Sequence, residues 1–316
     1  MEQDKIVVVM GGPSTEAEVS RRTGKAILEA LLSKGYNAEG MELDPLHFAG
    51  DIRKSGCSIV FNALHGKFGE DGMIQGTLDM LGIPYTGSGV LAAAITMDKA
   101  ASKRIFVAEG ISTPRAHTYQ RYEMKRELSK EIAGEFSFPV VVKAASQGSS
   151  IGVYIVEDVA ELSKSLEDAF SYDDEVLVEE FVRGREITVA VWGNAEEKEA
   201  MPIIEITTLS GRYDYNSKYT KGASTHIVPA RLSEDKTREI QELAVNTFAA
   251  CRCCGVARVD MMLDENEVPY VIEVNSVPGM TETSLVPDAA RAMGIEFPEL
   301  CERILKMAGF PFANVS

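Results

Sequence analysis

The sequence predicts an α/β protein whose N-terminal part forms a parallel sheet and whose later part is built from antiparallel strand pairs. The chain has 316 residues, which is room for two or three domains with full hydrophobic cores. At first, short apolar runs alternate with stretches of helical period, as in a parallel sheet covered by helices. Later, β-branched runs are separated by short turns, which favours hairpins.

The N-terminal elements begin with an apolar strand, Lys5 to Met10, and a glycine turn at Gly11-Gly12. Thr15 and Glu18 fit a capping box that would start the next helix, and Lys34-Gly35 predicts its end. The elements predicted next are a buried strand at 59–64, a helix at 73–81, a short strand at 83–85 and a helical stretch at 90–108. This opening leaves a nicotinamide-dependent oxidoreductase as an alternative, although the full G-x-G-x-x-G fingerprint is absent.

The later elements follow from the same patterns. They are a strand pair at 138–143 and 153–156, a helix from 158 to 170, strands at 176–182 and 187–191, a helix from 233 to about 251, and a hairpin of 256–263 with 268–274. Asp158 and Ser233 are residue types that cap helix N-termini. These elements predict antiparallel sheets with helices packed on them.

The predicted hairpin that leads to Gly279 gathers oxygen ligands and a cation. Side chains alternate between the faces of a strand, so Arg258 and Asp260 share one face of the first strand. Glu273 and Asn275 share one face of the second, and folding brings both pairs together. Two carboxylates and a carboxamide are ligands that Mg2+ prefers, and the glycine N–H can approach a ligand closely. The alternative is the polar outer face of an ordinary hairpin.

A second candidate site follows the strand that ends at Lys143. The loop from Ala144 to Gly152 is rich in serine and glycine, which lets backbone N–H groups surround phosphate oxygens. Lys143 and Lys99 can each add a point charge. With the hairpin acids they predict a phosphoryl-transfer site without a P-loop or a kinase catalytic loop. A flexible hairpin is the alternative for this loop.

Two further loops are candidates for substrate binding. Residues 65–72 place His65, three glycines and two acids after a predicted strand, where open α/β sheets bind ligands. A tight turn with solvated charges is the alternative there. Residues 211–225 lack an apolar period, which is typical of a lid, and Lys218 and Tyr219 are its side chains best suited to act on a substrate.

The formal net charge of −16 argues against a nucleic-acid or anionic-membrane partner, since both are held mainly by basic patches. The start of the chain has no basic region followed by a long apolar run, and no run approaches membrane-spanning length. We therefore expect a cytoplasmic protein. Five cysteines without paired C-x-x-C spacing are expected to be reduced, and Cys251, Cys253 and Cys254 to be buried rather than bound to zinc.

Nine motifs occur in one order across nearly the whole chain. They are GGPSTEAEVS, ALHGKFGEDG, PYTGSGV, MDK, QGSSIGV, YDYNSKY, RVDMML, EVNSVPGMT and SLVP. Their order and spacing resemble those of the D-alanine–D-alanine ligases, a family of the ATP-grasp superfamily. Two departures are Ala144, where proline is common in the family, and Gln147, where an acid is common.

The resemblance implies an ATP-grasp fold of three lobes: an N-terminal parallel α/β domain at 1–96, a central lobe at 97–182 and a C-terminal lobe at 183–316. ATP would lie between the second and third lobes, gripped by their antiparallel sheets. Two Mg2+ ions would bind with it, and Mn2+ could replace them. The family resemblance also implies a homodimer.

The resemblance assigns roles to individual residues. Around ATP, Lys99 and Lys143 would contact phosphates, Glu179 adenine and Glu186 ribose, with solvated surface as the alternative for these acids. The metal ligands would be Asp260, Glu273 and Asn275. Among the catalytic groups, Glu16 would receive the ammonium of the first D-alanine, and Ser149 and Tyr219 would complete the hydrogen-bond network of Glu16. Arg258 and the Gly279 N–H would stabilise the oxyanion. The second substrate would meet Lys218, Ser284, the Leu285 N–H and His65.

The implied reaction joins two D-alanines for peptidoglycan precursor synthesis. The first carboxylate attacks the γ-phosphate of ATP, which gives ADP and an acyl phosphate, and the second amine displaces phosphate. D-Lactate or D-serine as second substrate is an alternative, and Tyr219 in place of phenylalanine favours the D-alanine product. A non-catalytic ATP-binding regulator is the alternative from another class. It predicts loss of a metal ligand or of Arg258, and neither is lost.

Overall fold

Three β-sheets follow one another along the part of the chain that the structure describes. It is a computed structural model that describes residues 4–125, 127–208, 224–281 and 283–309. Within these residues the first sheet is parallel and the other two are antiparallel, as predicted. No helix in the described ranges is long and apolar enough to cross a membrane. Cys251, Cys253 and Cys254 are buried free thiols, also as predicted.

The N-terminal sheet has the strand order β2-β1-β3. Its elements and the helices around it are β1 Ile6–Met10, α1 Ala17–Ser33, β2 Ala38–Glu42, α2 Phe48–Lys54, β3 Ile59–Asn62, α3 Met73–Leu81, α4 Val90–Met97 and α5 Lys99–Ala108. Ile6 and Val8 share a core with α1, whereas Val7 and Val9 share one with α2 and α3. Both faces of the sheet are therefore buried, and a ligand can reach only the ends of its strands.

The predicted capping box at the start of α1 is wrong. Glu16, and not Thr15, holds the N-cap position, and no side chain caps the helix there. Ser14 instead accepts hydrogen bonds from backbone N–H groups at the start of the helix. Its Oγ accepts the Glu16 N–H at 3.1 Å, and its carbonyl accepts the Ala17 N–H at 3.2 Å. Glu18 lies in the first turn of α1 without a capping role. The Glu16 carboxylate does not cap the helix either, so it can contact other groups.

Two further predictions in this part need correction. Residues 83–85 are not a strand, because Tyr85 forms only isolated bridges, one to Val60 of β3 and one to Gly309. The helical stretch at 90–108 breaks at Asp98, because the Lys99 N–H donates to the Ala145 carbonyl at 2.9 Å and not to the preceding turn. The Asp98 carboxylate caps the new helix, so Lys99 lies in the first turn of α5.

The central sheet has the order β4-β7-β5-β6. Its elements are β4 Ala116–Gln120, a 3-10 helix Arg121–Lys125, α6 Leu128–Glu135, β5 Val140–Ala144, β6 Val153–Val156, α7 Val159–Phe170 and β7 Glu175–Glu180. Asp158 caps α7, as predicted. Val140 and Val142 pack with α6 and α7, so Val141 and Lys143 occupy the opposite face of the sheet.

The C-terminal sheet has the order β11-β10-β8-β12-β13, with β9 paired to β8. Its elements are β8 Gly184–Gly193, β9 Lys198–Ala200, β10 Ile204–Thr208, β11 Ser224–Ile227, α8 Glu234–Ala250, β12 Gly255–Asp264, β13 Pro269–Asn275, α9 Leu285–Ala292 and α10 Phe297–Lys306. Ser233 caps α8, as predicted. Val259 and Met261 pack with α8, so Arg258 and Asp260 face away from it.

Gly255 opens β12 with a φ of +71°, a conformation that favours glycine. A Cβ at this position would lie 2.8 Å from the Cα of Gly87 in the N-terminal lobe. We expect Gly255→Ala to lower the free energy of unfolding by about 1–3 kcal/mol, measured by urea denaturation, because the backbone strain and the close contact act together.

Gly50→Ala is the matched control for this prediction. Gly50 lies within α2, and no atom lies within 4 Å of an added Cβ there. Alanine should therefore raise stability by up to about 1 kcal/mol at this helical position. Equal losses of stability in the two variants would contradict the argument.

Candidate active site

Two cavities adjoin the polar face of the β12–β13 hairpin. The first, called the N-terminal cavity, has a volume of about 670 Å³ and is lined among others by Glu16, His65, Glu70, Asn275, Ser149, Arg258, Gly279, Ser284 and Leu285. The second, called the inter-sheet cleft, has a volume of about 900 Å³ and is lined among others by Lys99, Lys143, Glu179, Glu186, Asp260 and Glu273. Every described residue that the sequence assigned to the site borders one of them. Lys218 and Tyr219 lie outside the described residues.

The hairpin has the register that side-chain alternation predicts. Arg258 lies opposite Asn275, and Asp260 lies opposite Glu273. The Asp260 carboxylate accepts the Nε–H and Nη2–H of Arg258, both at 2.8 Å, and the Asn275 amide N–H at 2.9 Å. Thr188 of β8 donates to the same carboxylate at 2.5 Å. These bonds fix the orientation of Asp260 before any ligand binds.

The donor atoms of the hairpin fit a hard cation. Within the described ranges, no three His, Cys, Asp or Glu side chains are grouped to hold a metal ion. The hairpin presents two carboxylates, Asp260 and Glu273, with the Asn275 carboxamide beside them, and oxygen donors suit Mg2+ rather than zinc. Cationic groups already lie against both acids, Arg258 on Asp260 and Lys99 at 3.7 Å from Glu273. A solvated outer face is excluded, because the Arg258 and Asp260 side chains are only 12% and 13% exposed.

Lys99 joins the hairpin to the serine–glycine loop, defined as residues 144–152. Its Nζ donates to the Gln147 carbonyl at 2.5 Å and lies 3.7 Å from Glu273. The start of the loop is held by Asp173, whose carboxylate accepts the Ser146 N–H at 2.8 Å and the hydroxyl at 2.5 Å. The sequence analysis missed Asp173, because no local pattern links it to a partner 27 residues away.

The middle of the serine–glycine loop is shaped around Glu16. Ser149 donates a short hydrogen bond to the Glu16 carboxylate, which connects the central lobe to the N-terminal lobe. Ser149 and Ser150 both have left-handed backbones, with φ of 52° and 60°, which persist only where the surroundings hold them. A Cβ on Gly148 or Gly66 would lie 2.7 or 2.8 Å from Glu16 Oε2. The two glycines therefore make room for this carboxylate.

Glu179 lies in the inter-sheet cleft between two lysines. It is 1% exposed and forms ion pairs with Lys143 and Lys103. Burial on its own would raise the pKa of the Glu179 carboxyl, but the two ammonium groups outweigh burial and lower the pKa. A solvated surface position is thus wrong for Glu179. Lys103 was missed by the sequence analysis, although it follows Lys99 by four residues and lies on the same helical face.

The rest of the inter-sheet cleft is mostly apolar. Its lining includes Val141 and Ile155 of the central sheet, Phe181 just after β7, and Met262 and Ile272 of the C-terminal sheet. Two apolar surfaces that face each other suit a flat ring. The lysines of the same cleft suit an anionic group attached to that ring, and Glu186 adds a hydrogen-bond acceptor to the lining.

His65 is a neutral member of the N-terminal cavity. It is 5% exposed, and its Nε2 lies 3.0 Å from the Thr23 hydroxyl. Burial lowers the pKa of the His65 imidazole to about 4, opposed by a hydrogen bond that the ring donates to the Val277 backbone and assisted by the charge of Arg258. At neutral pH His65 can therefore orient a ligand by hydrogen bonding, without adding charge.

The turn after β13 forms one wall of the N-terminal cavity. Ser284 Oγ accepts the Thr281 N–H at 2.9 Å, and a Cβ on Gly279 would lie 2.9 Å from that oxygen. Glycine thus lets the backbone come close to the cavity. Leu285 begins α9, and the first N–H groups of a helix have no acceptor within the helix. This wall therefore favours a negatively charged group.

Glu70 is another cavity residue that the sequence analysis missed, since it was seen only as one of two acids in a loop. One carboxylate oxygen accepts the Gly66 N–H at 2.6 Å. Glu70 is half-buried and lines the same cavity as Glu16. Burial, with the negative charge of Glu16, raises the pKa of the Glu70 carboxyl to about 8. Burial and the neighbouring carboxylate therefore favour the protonated form of Glu70 in the ligand-free cavity.

A pH dependence of stability follows for the ligand-free protein. A carboxyl whose pKa is raised by folding binds its proton more tightly in the native state, so stability falls as pH rises from the unfolded pKa of 4.5 to about 8. We expect Glu70→Gln to lose less stability over this range than wild type, measured as the melting temperature at about pH 5 and about pH 8. Glu29→Gln, on an exposed position of α1, should follow wild type. Equal pH dependence of Glu70→Gln and wild type would contradict the assignment.

Two family models match parts of the chain. The family model described as D-ala D-ala ligase C-terminus matches residues 105–306, and the one described as D-ala D-ala ligase N-terminus matches residues 37–88. The chain is 48% identical over 308 residues to the D-alanine–D-alanine ligase of Pelotomaculum thermopropionicum, with 96% of each chain covered. It is 47% identical over 307 residues to that of Moorella thermoacetica, with 96% of this chain and 99% of the relative covered.

Solved structures give the same result. The D-alanine–D-alanine ligase from Bacillus anthracis complexed with ATP superposes with a TM-score of 0.82 at 34% identity, covering 96% of this chain and 97% of that chain. The VanG D-Ala:D-Ser ligase from Enterococcus faecalis gives a TM-score of 0.82 at 29% identity, with 96% and 99% covered. The chain therefore has the ATP-grasp fold and belongs to the D-alanine–D-alanine ligase family.

Proposed function

We propose that this chain joins two D-alanines into D-alanyl-D-alanine, coupled to the cleavage of ATP, as a cytoplasmic step of peptidoglycan precursor synthesis. The observation that carries the proposal is that β12 borders both cavities, with Arg258 on the N-terminal cavity and Asp260 on the inter-sheet cleft. A carboxylate that is first phosphorylated and then attacked by an amine needs a phosphate donor on one side and a second substrate on the other. The curated relatives at 48% and 47% identity support this reading.

ATP would bind in the inter-sheet cleft. Its ring would lie in the apolar slot, with the adenine amino group donating to Glu179 and the ribose contacting Glu186. Lys99 and Lys143 would bind the phosphates. The likeness to the Bacillus anthracis ligase complexed with ATP supports this placement.

Asp260, Glu273 and Asn275 would hold two Mg2+ ions, which Mn2+ could replace. When bound, Mg2+ supplies positive charge that offsets the charge of the phosphates. The contribution of the protein is to fix the ligands, and Asp260 is already held by Arg258 and Asn275. The Glu273 carboxylate lies close to the Lys99 ammonium, so a proposed metal ligand and a proposed phosphate-binding group are neighbours.

The first D-alanine would lie in the N-terminal cavity with its ammonium at Glu16. One of its carboxylate oxygens attacks the γ-phosphorus of ATP, the P–O bond to ADP breaks, and D-alanyl phosphate forms. This step is needed because a carboxylate is unreactive toward amines, whereas phosphate is a leaving group. Ser149 orients Glu16, and we propose that Tyr219 completes this network as part of a lid.

The second D-alanine would bind through its carboxylate to Ser284 and the Leu285 N–H, with Lys218 of the lid and with His65 positioning it. Its neutral amine attacks the acyl carbon, the C–O bond to phosphate breaks, and the amine releases a proton. Arg258 and the Gly279 N–H would stabilise the oxyanion formed in between. Donors of this kind typically change a rate by about 100- to 1,000-fold each.

D-Alanine is proposed as the second substrate over D-serine and D-lactate. The fold alone does not separate them, since the VanG D-Ala:D-Ser ligase is similar at a TM-score of 0.82. The more similar curated relatives, from 48% to 43% identity, are D-alanine–D-alanine ligases. We also propose a homodimer without nucleic-acid or membrane partners.

Purified protein with ATP and Mg2+ should release phosphate when D-alanine is added and not when L-alanine is added. Mass spectrometry should find one D-alanyl-D-alanine for each phosphate, because the acyl phosphate is consumed by the second amine. Equal turnover with L-alanine would refute the proposed function. D-Serine or D-lactate should then be added in competition with D-alanine. If the mixed product exceeds D-alanyl-D-alanine, the second substrate is not D-alanine but the competitor.

Glu273→Gln should lower kcat by about 100-fold or more while the protein stays folded, because a neutral amide replaces a charged metal ligand. Phosphate release measures turnover, and circular dichroism checks the fold. Glu265→Gln, in the exposed turn of the same hairpin, is the matched control and should keep wild-type kcat. Turnover of Glu273→Gln at the wild-type rate would remove the metal role.

A further inference from the structure

Lys103 is a buried cation that the proposed reaction does not use. It lies on α5 and is 6% exposed. Its Nζ donates to the Thr113 hydroxyl at 2.7 Å and to the Pro114 carbonyl at 3.0 Å, and lies 2.8 Å from Glu179 Oε2. The contact with Glu179 is an ion pair without good hydrogen-bond alignment. One hydrogen bond to a side-chain hydroxyl, one to a backbone carbonyl and one charge contact therefore hold this ammonium in place.

The two lysines on Glu179 differ in what else they can reach. Lys143 pairs with Glu179 Oε1 and lines the inter-sheet cleft, so its ammonium can turn to a ligand there. Lys103 is not among the described residues that line the cleft, and its N–H groups are donated to the segment before β4. When an anionic group enters, Lys143 can change partners, whereas Lys103 stays on Glu179.

Without Lys103, such an exchange would leave Glu179 as a buried carboxylate with no cation beside it. An unpaired buried carboxylate is costly and takes up a proton. A protonated carboxyl donates a hydrogen bond, whereas a carboxylate only accepts. The charge of Lys103 therefore determines which kind of group Glu179 can bind in the occupied cleft.

We propose that Lys103 is a positioning residue that keeps Glu179 a pure hydrogen-bond acceptor after Lys143 has moved to the phosphates, and so selects a nucleotide whose base carries an exocyclic amino group. This inference rests on the proposed placement of adenine at Glu179. A 6-amino purine donates to the carboxylate, whereas a 6-oxo purine presents a second acceptor and is repelled.

Lys103 is also connected to the metal-binding hairpin. Thr113, which accepts a bond from Lys103, donates its own hydroxyl proton to the Val271 carbonyl of β13 at 2.7 Å. The Val271 N–H in turn donates to the Ser112 carbonyl at 2.8 Å. The position of Lys103 is thereby fixed relative to both sheets that enclose the cleft, which is what a positioning residue requires.

The test compares ATP with inosine triphosphate, which carries a carbonyl where adenine carries its amino group. Direct calorimetric titration with Mg2+ should show that wild type prefers ATP by about 10- to 100-fold, the usual effect of a hydrogen bond to a charged group. Lys103→Met should lower this preference to within about threefold, mainly through weaker binding of ATP. The KM for D-alanine should stay within about twofold, because the N-terminal cavity is unchanged.

Arg104→Met is the matched control, because Arg104 is the next residue of α5 and pairs with Glu175 at an exposed position. It should keep the wild-type preference. Lys103→Gln is a second variant that retains a donor for Thr113 and Pro114 but removes the charge, and it should lose the preference as Lys103→Met does. A folded variant that keeps the wild-type ratio, or that loses ATP and inosine triphosphate equally, would overturn the proposal. If neither variant folds, Lys103 is a structural residue and the proposal is wrong.

The titration needs no ligation, so it separates this inference from the proposed function. Wild type that binds ATP selectively but forms no dipeptide would refute the ligase activity and leave the role of Lys103 standing. Wild type that forms the dipeptide but binds both nucleotides equally would refute the role of Lys103 alone.

Discussion

The pairing register of β12 places Arg258 on the N-terminal cavity and Asp260 on the inter-sheet cleft. Side chains repeat with a period of two along a strand, so a slip of one residue would turn Arg258 and Asp260 into the core and Val259 and Met261 out of it. Val259 and Met261 are 0% exposed and pack with α8. β8 also pairs with β12 over the whole of Gly255–Asp264. Burial of the apolar face of β12 therefore determines which side chains its polar face presents to the cavities.

The site of this acidic protein is prepared for a polyanion, although the formal net charge is −16. Lys143 lies against Glu179, and Lys99 lies 3.7 Å from Glu273. Pairing offsets part of the cost of burying charged groups, and it holds each ammonium beside the place where phosphate oxygens would lie. Nucleotide binding at these lysines would then be an exchange of ion-pair partners, without the desolvation of unpaired ammonium groups.

Local periodic patterns predicted the β12–β13 hairpin, α3, α7 and α8. Strand alternation, helical period and N-caps such as Asp158 and Ser233 depend only on residues that are close in sequence. The break at Asp98 could not be predicted, since it follows from a bond between Lys99 and a carbonyl of the central lobe. The site divides in the same way. Described residues assigned through the motifs border the two cavities. Lys103 and Asp173 were missed, because residues far along the chain determine their partners. Glu70 was missed although it lies in a motif, because the local sequence does not show that it shares a cavity with Glu16.

The serine–glycine loop links the two cavities physically. The loop is held by contacts with Asp173 at Ser146, with Lys99 at Gln147 and, from the N-terminal lobe, with Glu16 at Ser149. An ammonium at Glu16 would compete with Ser149 for one carboxylate, and a phosphate at Lys99 would compete with the Gln147 carbonyl for one ammonium. Ser149 and Ser150 hold a left-handed backbone that depends on such contacts. An amino acid in the N-terminal cavity and a nucleotide in the inter-sheet cleft would thus both act on one strained loop, through which each would change the affinity of the other.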